Sequence, residues 1–245
     1  MKKAILLLTV FVTLTCYGEK NQDTSSVNTM PFYWMFKFTT NKLLNTPKNL
    51  KQNNISLGAG IDIQYDLRLG DKGFGLSPGI GFEINSYNTN ASFTTNNNGI
   101  TEISIIPDTI RYESNSLSIM YINVPIEFQF ITSPNKNNRT FGFGAGIKAG
   151  YLVHNSQKFI TEQNNTEAIS TETITTEKNL PNFSRLSYAL TGRISYRRLK
   201  KKQKEFVGTS LSVIGSYGLS PIFESNKGST LTSYQIGIGL AFIFK

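Results

Sequence analysis

Ile55-Ser56-Leu57-Gly58-Ala59-Gly60-Ile61-Asp62-Ile63-Gln64-Tyr65-Asp66-Leu67 is apolar at every odd position, with Ser, Gly, Asp and Gln between. A period of two sustained over such a length is a strand whose two faces meet unlike surroundings. The alternation recurs in Phe74 to Ile84, Phe141 to Val153, Leu186 to Tyr196, Val207 to Tyr217 and Tyr234 to Phe244. Two segments are less regular. Leu117, Ile119 and Tyr121 change phase to Val124, Ile126, Phe128 and Phe130, which predicts a β-bulge near Ile122 and Asn123, beside Pro125. Met30, Phe32, Trp34, Phe36 and Phe38 keep the period, although Tyr33 and Met35 blur it. Eight strands follow, over 30–43, 54–68, 73–87, 117–131, 140–154, 185–198, 206–219 and 232–245.

The intervening segments run to about 10, 4, 29, 8, 30, 7 and 12 residues, so long alternates with short. Short turns at one end, long loops at the other and an even strand number are the pattern of a bacterial outer-membrane barrel with both termini in the periplasm. A soluble lipocalin-like barrel also has eight alternating strands, but turns its apolar face inward. Three features favour the membrane. The apolar phase carries no charge, as a lipid-facing band requires. It ends in aromatic girdles, Tyr121, Tyr151, Tyr188, Tyr217 and Tyr234 towards the long loops, and Tyr65, Phe74, Phe130, Phe141, Tyr196, Phe242 and Phe244 towards the short turns. Most of the 20 glycines fall in the polar phase, where a narrow lumen leaves little room for side chains. The expected fold class is all-β, an eight-stranded antiparallel transmembrane barrel with short periplasmic turns and long extracellular loops.

Composition agrees. The 245 residues are 39% apolar, 17% charged and 12% aromatic, with one Cys and one His. Disordered chains have fewer aromatics, disulfide-stapled domains more cysteines, and zinc sites more Cys and His. Mean hydropathy is -0.21 and only one continuous apolar run occurs, which does not fit a bundle of membrane helices. That run, Ala4 to Leu14 behind Lys2 and Lys3, reads as a secretory leader over 1–18, cleaved after Gly18. Lipidation at Cys16 is the alternative. A polar lead over 19–29 and a barrel domain over 30–245 complete the expected organisation.

Tyr121-Ile122-Asn123-Val124-Pro125-Ile126-Glu127, the glycine-rich Phe141 to Tyr151 strand and the Tyr234 to Lys245 strand resemble the PorT-like outer-membrane β-barrel family of Bacteroidetes. The resemblance spans roughly residues 54–245. It implies the barrel fold and, for the member that names the family, a link to protein secretion across the outer membrane.

On the inward phase the alternation places Lys37, Asp62, Asp66, Arg68, Glu83, Glu127, Lys148, Arg193 and Arg197. Nearly balanced charges in a narrow lumen are expected to pair, Arg193 with Asp62, Glu127 or both and Lys148 with Glu83. An ion-selective path is the other reading. Arg197, Arg198, Lys200, Lys201, Lys202 and Lys204 form a basic turn on the periplasmic side, facing phospholipid headgroups, cell-wall material or an acidic protein. Gly142-Phe143-Gly144-Ala145-Gly146 lies inside a strand pattern with no helix after it, so it is no phosphate loop. His154 with Asp108 and Ser156 is the only arrangement that suggests outer-leaflet catalysis, and no spacing ties the three together. The expected protein is therefore a non-enzymatic barrel with no catalytic residues, cofactor, metal or nucleic-acid partner. It binds outer-membrane lipid and an envelope or secretion protein, through its outer loops or basic turn; a narrow passive channel is the alternative.

Overall fold

The protein's structure, a computed structural model, describes residues 31–52, 56–69, 73–107, 109, 112–164, 170–200, 206–224 and 230–244. The expected leader and polar lead lie outside the described residues, as do Asp108, Lys201, Lys202 and Lys204.

Eight strands close on themselves. β1 (Phe32–Leu44), β2 (Leu57–Tyr65), β4 (Phe74–Asn88), β7 (Tyr112–Ile131), β8 (Arg139–Asn164), β10 (Leu186–Leu199), β11 (Phe206–Gly218) and β13 (Thr230–Phe244) pair antiparallel in chain order. β13 then returns to β1 in continuous register, from Phe32↔Phe244 to Leu44↔Thr232. Closure removes the open edges that would otherwise leave backbone groups unpaired. Shorter strands decorate the ring: β3 (Leu67–Arg68) extends β2 along β4, β5 (Ala91–Thr95) and β6 (Thr101–Ile105) form a separate hairpin, β9 (Ser170–Lys178) pairs with β8, and β12 (Phe223–Glu224) with β13.

The alternation decides which chemistry faces inward. Along β1, Tyr33, Met35, Lys37, Thr39, Asn41 and Leu43 are buried, while Trp34, Phe36, Phe38 and Thr40 between them are exposed. Phe128 is 67% exposed and Phe38 62%, whereas Asp62 is 3% and Lys37 7%. A water-soluble barrel has the reverse arrangement; here the apolar side chains form the outer wall. Rings band its short-turn end in cross-strand pairs, Phe32 with Phe244 at 5.3 Å, Phe74 with Phe130 at 5.1 Å and Phe141 with Tyr196 at 5.4 Å. At the long-loop end Tyr151, Tyr188, Tyr217 and Tyr234 point outward.

Tyr121 does not join them. From Asn115 to Gln129 β7 keeps one phase: Leu117, Ile119 and Tyr121 point inward with Asn123, Glu127 and Gln129, and all six are buried. The expected phase change near Ile122 is therefore a change of interior, from polar to apolar, on an unbroken face. Of the two irregularities in the β7–β8 ladder, the nearer lies between Met120 and Tyr121, which pair with His154 and Leu152, so the extra residue is Val153 on the partner strand. Above this level β7, β8 and β9 run on as a three-stranded sheet, from Tyr112↔Thr161 and Ser156↔Lys178 up to Asn164↔Ser170.

Candidate functional site

Inward charges need room and partners. Room comes from glycine on the neighbouring strand: Asp62 is opposite Gly81, Glu83 and Lys37 both oppose Gly60, Glu127 opposes Gly146 and Arg193 opposes Gly144. A Cβ on Gly81 would collide with Asp62 Oδ1, and one on Gly144 would stand 3.2 Å from Glu127 Oε2. The glycines of the polar phase are thus the sockets of the charged layer.

Three centres are stacked along the lumen. Uppermost is Glu83, whose Oε2 accepts from Lys148 Nζ at 2.9 Å, Lys37 Nζ at 3.3 Å and Asn123 Nδ2 at 3.3 Å. Its Oε1 accepts from Asn85 Nδ2 and Gln235 Nε2, both at 2.7 Å. Lys37 also pairs with Asp62 at 2.9 Å, which ties β1, β2, β4, β7, β8 and β13 into one network. In the middle, Arg193 pairs with Glu127 at 3.0 Å, donates to Gln64 Oε1 at 3.3 Å and lies 5.1 Å from the centre of the Tyr33 ring. Tyr33 donates its hydroxyl proton to Gln64 and is 2.9 Å from Ser77 Oγ. Lowest is Asp66, which accepts from Arg197 Nη1 and Gln129 Nε2, each at 2.6 Å. Buried charges in a low-dielectric interior persist only with such partners, because an unpaired one costs several kcal/mol.

Arg193 thus meets Glu127 and not Asp62, which Lys37 takes instead. Lys148 meets Glu83. Arg68 is a correction: it belongs to no centre and is exposed. β2 ends at Tyr65, Asp66 N–H donates to Pro31 O at 2.9 Å, and Arg68 falls on the two-residue β3 beyond the Asp66 layer, where its head reaches water. Of the basic turn, Arg198 and Lys200 are exposed and Arg197 is drawn into the lumen. His154 Nδ1 lies 3.0 Å from Asn179 Oδ1, and the structure gives it no bond to Ser156.

The space left is small. A cavity of about 40 Å³ lies among Lys37, Glu83, Glu127, Lys148, Thr191 and Gln235, enough for a few waters.

Above the charges the lumen becomes apolar, which sequence reasoning missed. Phe93 of the β5–β6 hairpin, Phe183 of the β9–β10 connection and Phe223 of the β11–β13 connection meet with centroids 5.0 to 5.9 Å apart, over Leu43, Tyr87, Leu117, Ile119 and Leu231. The polar backbone this brings inside is satisfied from the walls. Gln157 accepts from Phe93 N–H at 2.7 Å and donates to Ala91 O at 2.9 Å. Asn115 donates to Thr89 O and Ala91 O, and Asn155 to Leu180 O. Ser184 N–H donates to Ile222 O at 3.0 Å, joining two connections over the mouth. The available signal was an aromatic just after a proline in polar loops, Leu180-Pro181-Asn182-Phe183 and Pro221-Ile222-Phe223.

The outer membrane protein beta-barrel domain family matches residues 31–224. Ail, the attachment invasion locus protein of Yersinia pestis, solved in complex with the heparin analogue sucrose octasulfate, is 10% identical with a TM-score of 0.34, over 88% of this chain and 99% of that one. The N-terminal β-barrel domain of Pseudomonas aeruginosa OprF is 12% identical with a TM-score of 0.30, over 87% and 97%. No curated protein matches. The chain belongs to the outer membrane protein beta-barrel domain family and lies in the bacterial outer membrane.

Proposed function

We propose that this barrel is a non-enzymatic binding component of the outer membrane, and that its recognition surface is the sheet of β7, β8 and β9 raised above the bilayer. The observation that carries this is the pairing of β9, whose ladder uses β8 alone among the described strands and so presents a second edge to the outside. A free edge accepts an extended peptide by strand addition, with backbone hydrogen bonds for affinity. A filled lumen under a packed mouth supports the same reading, because it leaves the exterior as the accessible surface. A protein of the cell envelope or of a secretion system, as the PorT-like resemblance implies, would dock there in extended form.

A photocrosslinker placed at Thr176 or Lys178, both exposed, should capture a polypeptide in intact cells, and one at Lys201 should not. Capture only at Lys201 would move the binding surface to the periplasmic turn. No capture at either place, together with steady conductance of the reconstituted barrel, would favour the passive channel.

A further inference from the structure

The periplasmic rim carries an unbalanced feature on its outer face. Outward from the Phe141–Tyr196 ring pair, the next outward residues of the same two strands are Arg139 and Arg198, directly opposite each other in the β8–β10 ladder. Both are exposed, and among the described residues neither guanidinium joins an ion pair. No carboxylate occupies an outward position on β8 from Arg139 to Ala145, nor on β10 from Gly192 to Arg198. Like charges directly opposite one another destabilise a sheet, so this pair lowers its energy when an anion lies between the two heads.

We propose that Arg139 and Arg198 bind the phosphate diester of an anionic diacyl phospholipid in the periplasmic leaflet. Depth points to a lipid. Aromatic girdles mark the boundary between hydrocarbon and headgroups, and the arginines stand two residues beyond the rings, about 7 Å further along the strands. Opposed Cβ atoms are about 5 Å apart, a spacing from which two guanidinium forks can converge on one phosphate. The lipid's chains then lie over Phe143 and Ile194, exposed neighbours of the ring pair on the bilayer side. An acidic protein could satisfy the charges but would have no use for that apolar continuation. This site is independent of the edge at β9, which lies at the other end of the barrel.

Native mass spectrometry of the full chain in neutral detergent, with equal amounts of phosphatidylglycerol and phosphatidylcholine of matched chains, tests the assignment. Wild type should retain phosphatidylglycerol about 25-fold more strongly, the product of two charges each worth roughly fivefold near an anionic surface. Arg139→Gln with Arg198→Gln should bring the ratio close to one, while Lys42→Gln with Lys48→Gln, charge-matched and exposed at the outer end, should leave it unchanged. Arg139→Lys with Arg198→Lys keeps both charges and should retain a reduced preference, which tests the site even if the glutamine variant fails to fold. Equal retention of both lipids by wild type, or a preference that survives the glutamine pair, overturns the proposal. Indifference to lipid with arginine-dependent capture of a polyglutamate peptide overturns it in favour of an acidic protein.

Discussion

On β7, Asn123 and Tyr121 are two residues apart on one inward face, yet they belong to different interiors. Asn123 donates to Glu83 in the charged layer, and Tyr121 packs into the apolar cluster beneath the three phenylalanines. Below this boundary the contents are supplied by strands alone, with Lys37, Asp62, Glu83, Glu127 and Arg193 opposite glycines and with Glu83 and Asp66 each held from several strands. Above it, three long connections fold in and bring aromatic rings, while Asn115, Asn155 and Gln157 bond the backbone that comes with them. The difference teaches that a rigid wall can place charges accurately enough to pair them, whereas loops close a mouth more readily with rings, whose packing tolerates small displacements. A mis-set ion pair loses several kcal/mol; a ring shifted within an apolar cluster loses a fraction of its contacts.

The largest expected effect of breaking this division lies in the charged layer. Glu83→Ala removes the acceptor shared by Lys37 and Lys148 and should destabilise the barrel by about 3–5 kcal/mol. Urea unfolding in vesicles, followed by the fluorescence of Trp34, the sole tryptophan and outward-facing, measures it. A loss below about 1 kcal/mol would mean that the layer is wet and its pairs behave as exposed ones do. Gln64→Lys belongs to the same test. From the alternation alone it looks milder than a lysine on the lipid face, but Gln64 is fully buried against Arg193 and Tyr33. An added cation there should cost as much as the loss of Glu83.

Closing the barrel, choosing its outer face and placing its charges needed only alternation, turn length and the exclusion of charge from one phase. Those signals are local, and they name Lys37, Asp62, Asp66, Glu83, Glu127, Lys148, Arg193 and Arg197 from the sequence alone. What they do not fix is which cation meets which anion, because stagger between strands decides that Asp62 is reached by Lys37 and Arg193 by Glu127. Arg68 fails for a related reason: phase predicts direction but not where the wall ends. The cap leaves only a faint mark, a proline shortly before Phe183 and Phe223, because the three rings stand in separate connections with no period to betray a common destination. Leu117, Ile119 and Tyr121 misled in the same way, since an apolar residue on a barrel strand looks lipid-facing until something apolar is known to fill the lumen.

A smaller effect is expected in the cap. Phe223→Ala removes a fully buried ring that touches both Phe93 and Phe183 and should cost about 3 kcal/mol. That cost falls on the docking of the connections, since the ladders of the eight strands do not depend on it. Protease cleavage of the outer loops in intact cells should rise while resistance of the barrel to urea stays close to wild type. Parallel losses in both would mean that cap and wall unfold as one unit, and the boundary at Tyr121 would have no energetic meaning.

The smallest effect concerns conduction, where the two regions offer redundant seals. Wild type in a planar bilayer should show no steady current, because an ion must pass both the packed rings and a charged layer whose cavity, about 40 Å³, holds only a few waters. Opening the mouth with Phe93→Ala and Phe223→Ala leaves Glu83, Lys37, Lys148 and Asp62 tied across the lumen, so that variant should be silent as well. A passing ion would have to replace its hydration shell with side chains already committed to one another, and in a medium of low dielectric constant that exchange is costly. Silence in both proteins therefore assigns the inner seal to the ion pairs. Steady current from the cap variant alone would assign it to the rings and make the charged layer a lining instead of a plug. Current from wild type, with selectivity altered by Glu83→Gln or Lys148→Gln, would show that neither region closes the barrel and would favour the channel over the binding component.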